Sequence, residues 1–510
     1  MAPQPEPSED AHHERLRLVV LAAILAGSLL LGLANNDFPL GYHPDEPKKV
    51  GFVLHGKQDF LHPILMLQVA RLSRLALGVE DPRAVARLGR ALNAGAATLL
   101  VLATFLVARR LVGPPWDLLA AATLAATPIL VMHAHYFKED VLLTLFCMTA
   151  ILAFYGFVEH PSARSAALFG VAAGLAASSH YKSVLLIPTF LLALLAIGPA
   201  QRSRIALRHL LLAPALALAV FVLVNFPLLL EPYRFASGGG QDILQVTEGG
   251  LSVSFPARGG AFGFHLRFGL LPGLGWGLTL AGLGAFVGLA VGWRRLGWRE
   301  RTLLVYIAVF HVAIELSPYK PYGGSMRYVL PQVSGLVLLL AIAGKSLADR
   351  WPAKVRSLPA WALGVLAIGA LYSSVRLVDQ LAHDTRGEAA QLLAAEPPGK
   401  VLFERYGGLR QDLTYACDLA TDDARHRGVE VVVASSLNYD RFFLARRMGV
   451  ADAATESCAR GYDALFQLPM REIRPVYRSF AFSSPTLRIV RIGGLPLAAE
   501  GHRGPPALPH

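Results

Sequence analysis

Two pairs of adjacent carboxylates stand beside apolar runs of the sequence and are the residues best suited to acid–base chemistry. Asp45 and Glu46 follow the first apolar run, and Glu139 and Asp140 open a later one. An ionisable residue at the start of a membrane span tends to mark a cavity or a site. One carboxylate can act as general base while another positions it, the acceptor or a cation. The competing interpretation of the first pair is a helix start, with Asp45 as N-cap and Glu46 in the first turn.

Cationic and tyrosine side chains accompany these pairs and are suited to binding a phosphate group. Arginine binds phosphate through two parallel hydrogen bonds, and tyrosine lines amphipathic sugar or headgroup sites. The alternatives left open are snorkelling lysines and an aromatic belt at the membrane interface. The candidates for binding a lipid phosphate or the donor that carries it are Lys182, Arg327, Lys138, Tyr181, Lys320 and Tyr319.

Histidines near the same motifs raise the question of a metal ion. Histidine and carboxylate are common metal ligands, but no recognised ligand spacing occurs here. The sequence therefore predicts no obligatory cofactor, and a divalent cation remains an open alternative. The histidines concerned are His43, His55, His62, His133, His135, His180 and His265.

The elements that must position these residues are membrane helices. The chain has 510 residues, 54% hydrophobic and only 16% charged, whereas soluble domains carry about a quarter charged residues. The apolar residues form runs of about 15–20, the length that crosses the hydrocarbon layer as a helix. Eleven spans are predicted, near Leu18–Ala34, Ala91–Ala108, Leu118–Met132, Val141–Val158, Ala166–Ala177, Val184–Ile197, Leu210–Leu230, Leu274–Val291, Leu303–Leu316, Val329–Ala343 and Leu358–Val375.

Basic residues in the short loops predict the orientation of the bundle. If the N-terminus is cytoplasmic, almost every inside turn is basic, as the positive-inside rule requires. Both acidic pairs, the Lys182 hairpin and the Lys320–Arg327 segment then lie on the outer face of a cell (inner) membrane. The net charge of +12 reflects these loops, and no basic stretch with interleaved aromatic residues indicates nucleic acid.

The predicted organisation is a transmembrane domain at 1–378, an extracytoplasmic α/β domain at 379–500 and a disordered tail at 501–510. Outer loops at 35–90 and 231–272 belong to the first domain. The first of these loops contains an amphipathic stretch that is expected to lie along the membrane surface. The second loop is rich in glycine and is expected to be mobile. The second domain contains a helical stretch and four strand-like runs separated by turn residues. Its Cys417 and Cys458 could pair if the domain is extracytoplasmic. The predicted elements are a helix at Thr385–Ala395 and strands at Lys400–Glu404, Val429–Ala434, Ala464–Leu468 and Leu487–Ile492.

Two other functional classes compete with an enzyme. A transporter or lipid flippase should keep charged or helix-breaking residues near the bilayer midplane, whereas these motifs gather at one face. A structural or assembly subunit would explain the α/β tail but leaves both acidic pairs without a role.

Four segments together resemble the GT-C class of membrane glycosyltransferases, in the branch of protein O-mannosyltransferases and the aminoarabinose transferase of lipid A. Asp45-Glu46 is similar to the acidic pair in that family's first extracytoplasmic loop, and Glu139-Asp140 to its second acidic motif. His180-Tyr181-Lys182 is similar to its lysine hairpin, and Arg327-Tyr328-Val329-Leu330-Pro331 to its Arg-Tyr-x-x-Pro signature. The resemblance covers about the first 345 residues.

The resemblance implies a GT-C-like fold and sugar transfer from a polyprenyl-phosphate donor to an extracytoplasmic glycolipid, polysaccharide or protein. The transferred sugar would be a hexose or a pentose. We expect inversion at the anomeric carbon, with Asp45 as the general base. Lys182 and Arg327 would stabilise the phosphate leaving group, and Lys138 and Lys320 are weaker candidates for the same task.

Overall fold

A computed structural model describes residues 9–57, 60–244, 254–256, 263–317, 319–321, 326–408, 410–419 and 428–492. The chain divides into two compact units, Met1–Ala382 and His383–His510. The predicted tail at 501–510 and the glycine pairs of the second loop at 249–250 and 259–260 lie outside the described residues.

The first unit is a bundle of helices, and all eleven predicted spans coincide with helical segments. Among the described residues, seven helices are long and apolar enough to cross a membrane, or eight if one pair bent by 58° forms a single span. The chain is thus a multi-pass α-helical membrane protein. Its helices are α1 Glu9–Leu33, α2 Glu46–His55, α3 Leu65–Leu77, α4 Pro82–Leu111, α5 Trp116–Ala126, α6 Pro128–Ala134, α7 Asp140–Glu159, α8 Ala163–Ser179, α9 Leu186–Ala196, α10 Pro199–Arg202, α11 Leu207–Val224, α12 Pro227–Leu230, α13 Pro232–Leu244, α14 Leu271–Val291, α15 Trp298–Leu316, α16 Met326–Arg350 and α17 Leu358–Leu381. A π-helical turn, Leu266–Leu270, precedes α14, and 3₁₀ turns occupy Tyr181–Leu185, Trp293–Arg295 and Ala353–Val355.

Helices α4, α7 and α16 form the centre of the bundle. More than half of the apolar stretch of each is buried, whereas α1 and α11 leave most of theirs exposed, as lipid-facing helices do. Small residues bring α8 against α11: a Cβ on Gly170 or Gly174 would lie 2.4 Å or 2.6 Å from a carbonyl oxygen of α11. Such close approach is how membrane helices gain packing energy. The candidate residues Asp140 and Arg327, at the starts of α7 and α16, are therefore held by buried helices of the bundle.

The predicted outer loops contain defined structure. The first carries α2 and the amphipathic α3, on which Leu72, Leu75 and Leu77 are exposed. The second carries α13, so Gly238–Gly240 is helical, and the strand β1 (Ser254–Pro256). This strand pairs antiparallel with β2 (Tyr319–Pro321), which precedes α16.

The second unit is the predicted α/β fold, with a four-stranded sheet in the order β3-β4-β6-β5. Strand β3 is parallel to β4, and the other neighbours are antiparallel. A disulfide joins Cys417 to Cys458. The elements are β3 Val401–Phe403, β4 Val431–Ser435, β5 Met470–Ile473, β6 Leu487–Arg491, α18 Thr385–Leu392, α19 Ser436–Arg447 and α20 Ala453–Leu465, with 3₁₀ turns at Pro398–Lys400 and Ala416–Asp418.

One predicted strand of this unit is wrong. Residues 464–468 lie at the end of α20 and in the turn after it, and the strand follows at β5. The helix begins at an N-cap, Asp452, whose side chain accepts the Thr455 N–H, and it buries Tyr462 and Leu465. Leu465, the buried residue of the predicted strand, is therefore a helix position that faces the core.

Candidate active site

Asp45 stands at the N-cap position of α2, but its side chain does not cap the helix. Its Oδ2 lies 2.6 Å from Lys138 Nζ and 3.7 Å from Arg327 Nη1. The Asp45 side chain remains 42% exposed. The helix-start interpretation of Asp45 is therefore not supported, because its carboxylate faces two cations from other parts of the chain.

The electrostatic surroundings keep Asp45 ionised. Burial raises the pKa of the Asp45 carboxyl, but the Lys138 ammonium and then weaker neighbours, including Arg327, hold that pKa well below its usual range. Burial lowers the pKa of Lys138, and the charges of Asp45 and Glu139 outweigh it and raise that pKa. The Asp45–Lys138 pair is therefore fully charged at neutral pH.

Glu46 is buried and makes a structural ion pair that the sequence analysis missed. Arg90 donates from Nε and Nη2 to the two Glu46 oxygens at 3.0 and 2.6 Å. Its Nη1 donates to the carbonyl oxygens of Asn36 and Phe38 in the loop before Asp45. Glu46 also accepts the Phe137 N–H at 3.0 Å. The pair thus joins both acidic segments to α4, and an arginine directly before an apolar run was its only signal.

Glu139 is buried, and its carboxylate accepts hydrogen bonds from three cationic or polar side chains. It accepts from Lys49 Nζ, from Lys138 Nζ at 3.1 Å and from His62 Nε2 at 3.0 Å. Burial raises the pKa of Glu139, but the nearby cationic groups hold it well below its usual range. Lys49 and His62 belong to the first outer loop, so Glu139 ties that loop to the start of α7.

Asp140 begins α7 and is only 3% exposed. Within the described ranges its carboxylate makes no hydrogen bond or close ion pair, but its charge acts on Arg327, His133 and Lys138. Asp140 therefore places a second negative charge beside the cations that surround Asp45.

Lys182 and Arg327 meet at Tyr328. The Lys182 Nζ lies 3.6 Å from the centre of the Tyr328 ring, and the Arg327 guanidinium lies 5.1 Å from it. Tyr181 donates its hydroxyl to the Phe60 carbonyl at 2.8 Å, which fixes the hairpin against the first outer loop. The structure thus brings together Asp45, Lys138, Arg327 and Lys182, with Glu139 and Asp140 beside them.

The described contacts of Lys320 and Tyr319 are with α15 and β1. Lys320 is fully buried and donates to the carbonyl oxygens of Ile314 and Glu315 at 2.9 and 2.6 Å, while the Glu315 carboxylate lies 3.7 Å away. Tyr319 belongs to β2 and pairs with Pro256. The contacts of Lys320 hold the β2 segment onto α15, and the sequence analysis did not single out Glu315.

Two of the candidate histidines gather with a carboxylate. Ligand atoms of His62, Glu139 and His180 lie within 4.8 Å of one another. Lysine ammonium groups already contact both Glu139 oxygens, and His180 Nδ1 accepts the Lys182 N–H at 3.2 Å. A divalent cation would have to compete with two lysines for the only carboxylate of the set, so this donor set fits a hydrogen-bonded cluster better than a metal site.

An apolar groove runs beside the Lys182 hairpin between α7, α8, α9 and α11. Its volume is about 500 Å³. Tyr181 and Ser183 line one end, and the remaining lining is almost entirely aliphatic and aromatic, including Phe154, Phe190 and Leu218. The groove has the character of a site for a hydrocarbon chain.

Comparison with known proteins gives related sequences over the part of the chain that carries Glu139, Asp140 and Lys182. Residues 62–225 match the family model described as dolichyl-phosphate-mannose-protein mannosyltransferase. Lipid A galacturonosyltransferase RgtD of Rhizobium johnstonii is 28% identical over 356 residues, which cover 69% of this chain and 66% of that protein. The alignment thus spans just under two thirds of the relative's length.

Solved structures extend the likeness to more than nine tenths of the chain. ArnT from Cupriavidus metallidurans in the apo state superposes with a TM-score of 0.53 at 13% identity, over 94% of this chain and 98% of that one. The same protein bound to undecaprenyl phosphate gives a TM-score of 0.53 at 13% identity, over 92% and 97%. At such identities the likeness establishes the fold. Residues 62–225 are thus similar to the dolichyl-phosphate-mannose-protein mannosyltransferase family, and the chain has the fold of the GT-C membrane glycosyltransferases, which confirms the resemblance drawn from its motifs.

Proposed function

We propose that this protein transfers a sugar from a polyprenyl-phosphate donor to an acceptor outside the cytoplasm, with inversion at the anomeric carbon. The observation that carries the proposal is the position of Asp45, an ionised and accessible carboxylate between Lys138 and Arg327. A base, phosphate-binding cations and an apolar groove are the parts that such a transfer requires, and this end of the bundle contains all three.

In the proposed reaction, the acceptor hydroxyl oxygen attacks the anomeric carbon from the side opposite the donor phosphate. The new C–O bond forms as the bond from that carbon to the phosphate oxygen breaks, and the electron pair stays on the phosphate. The hydroxyl proton passes to Asp45. Arg327 and Lys182 stabilise the charge that develops on the leaving phosphate. No covalent enzyme intermediate is needed.

The depressed pKa of Asp45 affects when the proton is transferred in the proposed reaction. A carboxylate with a depressed pKa is a weak base in the ground state, so proton transfer accompanies bond formation to the sugar and does not precede it. Asp140, whose buried carboxylate makes no hydrogen bond or close ion pair among the described residues, is placed to orient the acceptor or the sugar beside Asp45. Glu46 and Glu139 act by holding the segments together.

The donor's isoprenoid chain is proposed to lie in the apolar groove beside Tyr181. Tyr181 and Ser183, the neighbours of Lys182 in the chain, line the groove. A donor whose phosphate binds at Lys182 can therefore extend its isoprenoid chain along α8 and α11. The ArnT structure with undecaprenyl phosphate supports a polyprenyl phosphate as ligand of this fold. The curated relative acts on lipid A, which makes a glycolipid the first acceptor to test.

The proposed location is the cell (inner) membrane, with the active site and the C-terminal unit on the outer side. The Cys417–Cys458 disulfide supports this orientation, because disulfides persist in oxidising compartments. The described ionisable cluster lies at one end of the bundle, which favours sugar transfer over the alternative of a transporter or flippase.

The test uses the purified full-length protein in vesicles. Labelled polyprenyl-phosphate sugars and labelled nucleotide sugars are supplied separately with a lipid A acceptor, and transfer is measured beside movement of the donor across the bilayer. The proposal expects transfer from the lipid donor alone. Flipping without transfer would support the transporter and contradict the proposal.

A further inference from the structure

We propose that His62 is a positioning residue that couples the acidic side of the site to the phosphate-binding hairpin. The inference rests on the proposed function and adds a residue that acts on donor binding without touching the reacting atoms. His62 lies in the first outer loop, and neither acidic motif nor the lysine hairpin contains it.

His62 contacts both sides of the site. On the acidic side, its Nε2 lies 3.0 Å from Glu139 Oε1, and Glu139 also holds Lys138, the partner of Asp45. On the hairpin side, its ring centre lies 4.6 Å from that of His180, with 38° between the planes. The His62 side chain is 16% exposed, so it is enclosed between these neighbours.

His180 passes the contact on to Lys182. Its Nδ1 accepts the Lys182 backbone N–H at 3.2 Å and so caps the 3₁₀ turn Tyr181–Leu185. The position of that turn determines where the Lys182 side chain leaves the backbone. The ammonium group of this side chain contacts the Tyr328 ring. A shift of the His180 ring would therefore move the start of the turn and the cation with it.

Hydrogen bonds fix the backbone on both sides of His62, so the imidazole is held in one position between its neighbours. The Phe60 carbonyl accepts the Tyr181 hydroxyl at 2.8 Å, and the Ile64 N–H donates to Asn225 Oδ1 at 2.9 Å. Tyr181 opens the 3₁₀ turn that lines the groove, and Asn225 directly follows α11. Enclosure of this kind locks the rotamer of a supporting residue, as a precise site requires.

Loss of His62 should affect the two sides unequally. Glu139 keeps Lys49 and Lys138 when His62 is removed, so the Asp45–Lys138 pair remains in place. His180 loses its ring neighbour, so the cap of the Lys182 turn loses one of its supports. The main effect therefore falls on the affinity for the donor phosphate, with a smaller effect on the chemical step.

The experiment compares full-length H62A, H62F and H62N with a control, H55A, whose histidine is exposed in the same loop. We expect H62A to raise the donor KM about tenfold and to lower kcat less than about threefold. H62F keeps the ring and H62N keeps a donor to Glu139, so each should give an intermediate KM. H55A should match the wild type. A purely structural role would lower the active fraction, and with it kcat, at unchanged donor KM.

Two results would overturn the inference. The first is a donor KM in H62A equal to that of the wild type. The second is that a chelator abolishes wild-type activity and that purified wild-type protein contains a metal ion which H62A lacks. The second would make His62 a metal ligand. Binding of polyprenyl phosphate alone, followed by native mass spectrometry, gives a readout that does not need transfer. If the wild type binds but does not transfer, the proposed function fails, while weaker binding by H62A still supports the role of His62 and equal binding contradicts it.

Discussion

Lys138 Nζ lies 2.6 Å from Asp45 Oδ2, and this contact joins the two acidic motifs into one site. The two residues are 93 positions apart in the chain. Glu139, the residue after Lys138, holds the same ammonium from the other side at 3.1 Å. The geometry thus sets the charge state of Asp45 and the direction in which its remaining oxygen can accept a proton.

Replacing Lys138 should change the pH dependence of the reaction. The pKa of Asp45 is depressed in the folded protein, so Asp45 is ionised down to a pH below its usual range and contributes stability that is lost as pH falls through the depressed value. K138M should move the acidic limb of kcat/KM to higher pH, towards the ordinary pKa of an aspartate, and lower the maximum. The exposed Lys48 is the control, and K48M should leave the profile unchanged. An acidic limb that stays in place in K138M would show that Lys138 does not set the pKa of Asp45.

Breaking the Glu46–Arg90 pair should destabilise the bundle. Both side chains are almost fully buried, and removing one partner leaves an unpaired charge. We expect E46Q to cost about 3–5 kcal/mol of unfolding free energy, measured by thermal unfolding in detergent. E80Q is the matched control, because Glu80 is 85% exposed and lies 3.8 Å from Arg74. Equal stability of E46Q and E80Q would contradict a structural role for the buried pair.

Filling the apolar groove should weaken binding of long-chain donors. Ala173 lines the groove from α8, and A173F would occupy part of the volume proposed for the isoprenoid chain. The donor KM should rise about tenfold for a long-chain polyprenyl donor and little for a short-chain analogue. L168F, at a residue 58% exposed on the same helix, should behave as wild type. Equal effects on long and short donors would place the chain elsewhere.

The disulfide gives a test of the C-terminal unit and of its location. Cys417 and Cys458 are separated by 41 residues, and closing such a loop stabilises a fold by about 4 kcal/mol on the chain-entropy model. C458S should lower the unfolding temperature of this unit, and wild-type protein taken from cells should resist thiol alkylation at both positions until it is reduced. Ready alkylation of Cys417 in untreated cells would argue for a cytoplasmic location.

Much of the bundle could be predicted from the sequence, because each span is a local signal of about 20 apolar residues. The acidic pairs and the lysine hairpin were also found locally. Arg90 and Glu315 were missed, and His62 was named only as a possible metal ligand, because their partners are distant in sequence and only packing brings them together. Residues 464–468 show that a local pattern can also mislead, because a short apolar run is compatible with a strand and with the end of a helix.

Asp45 carries the central claim, and its conversion to asparagine is the most direct test. Sugar transfer from a labelled polyprenyl-phosphate donor is measured for D45N and for D37N, since Asp37 belongs to the same loop and is 78% exposed. Polyprenyl-phosphate binding is followed in parallel to show that the site is intact. We expect a fall in kcat of at least about a hundredfold for D45N, with donor binding retained and D37N unchanged. Full transfer activity in D45N would contradict this expectation.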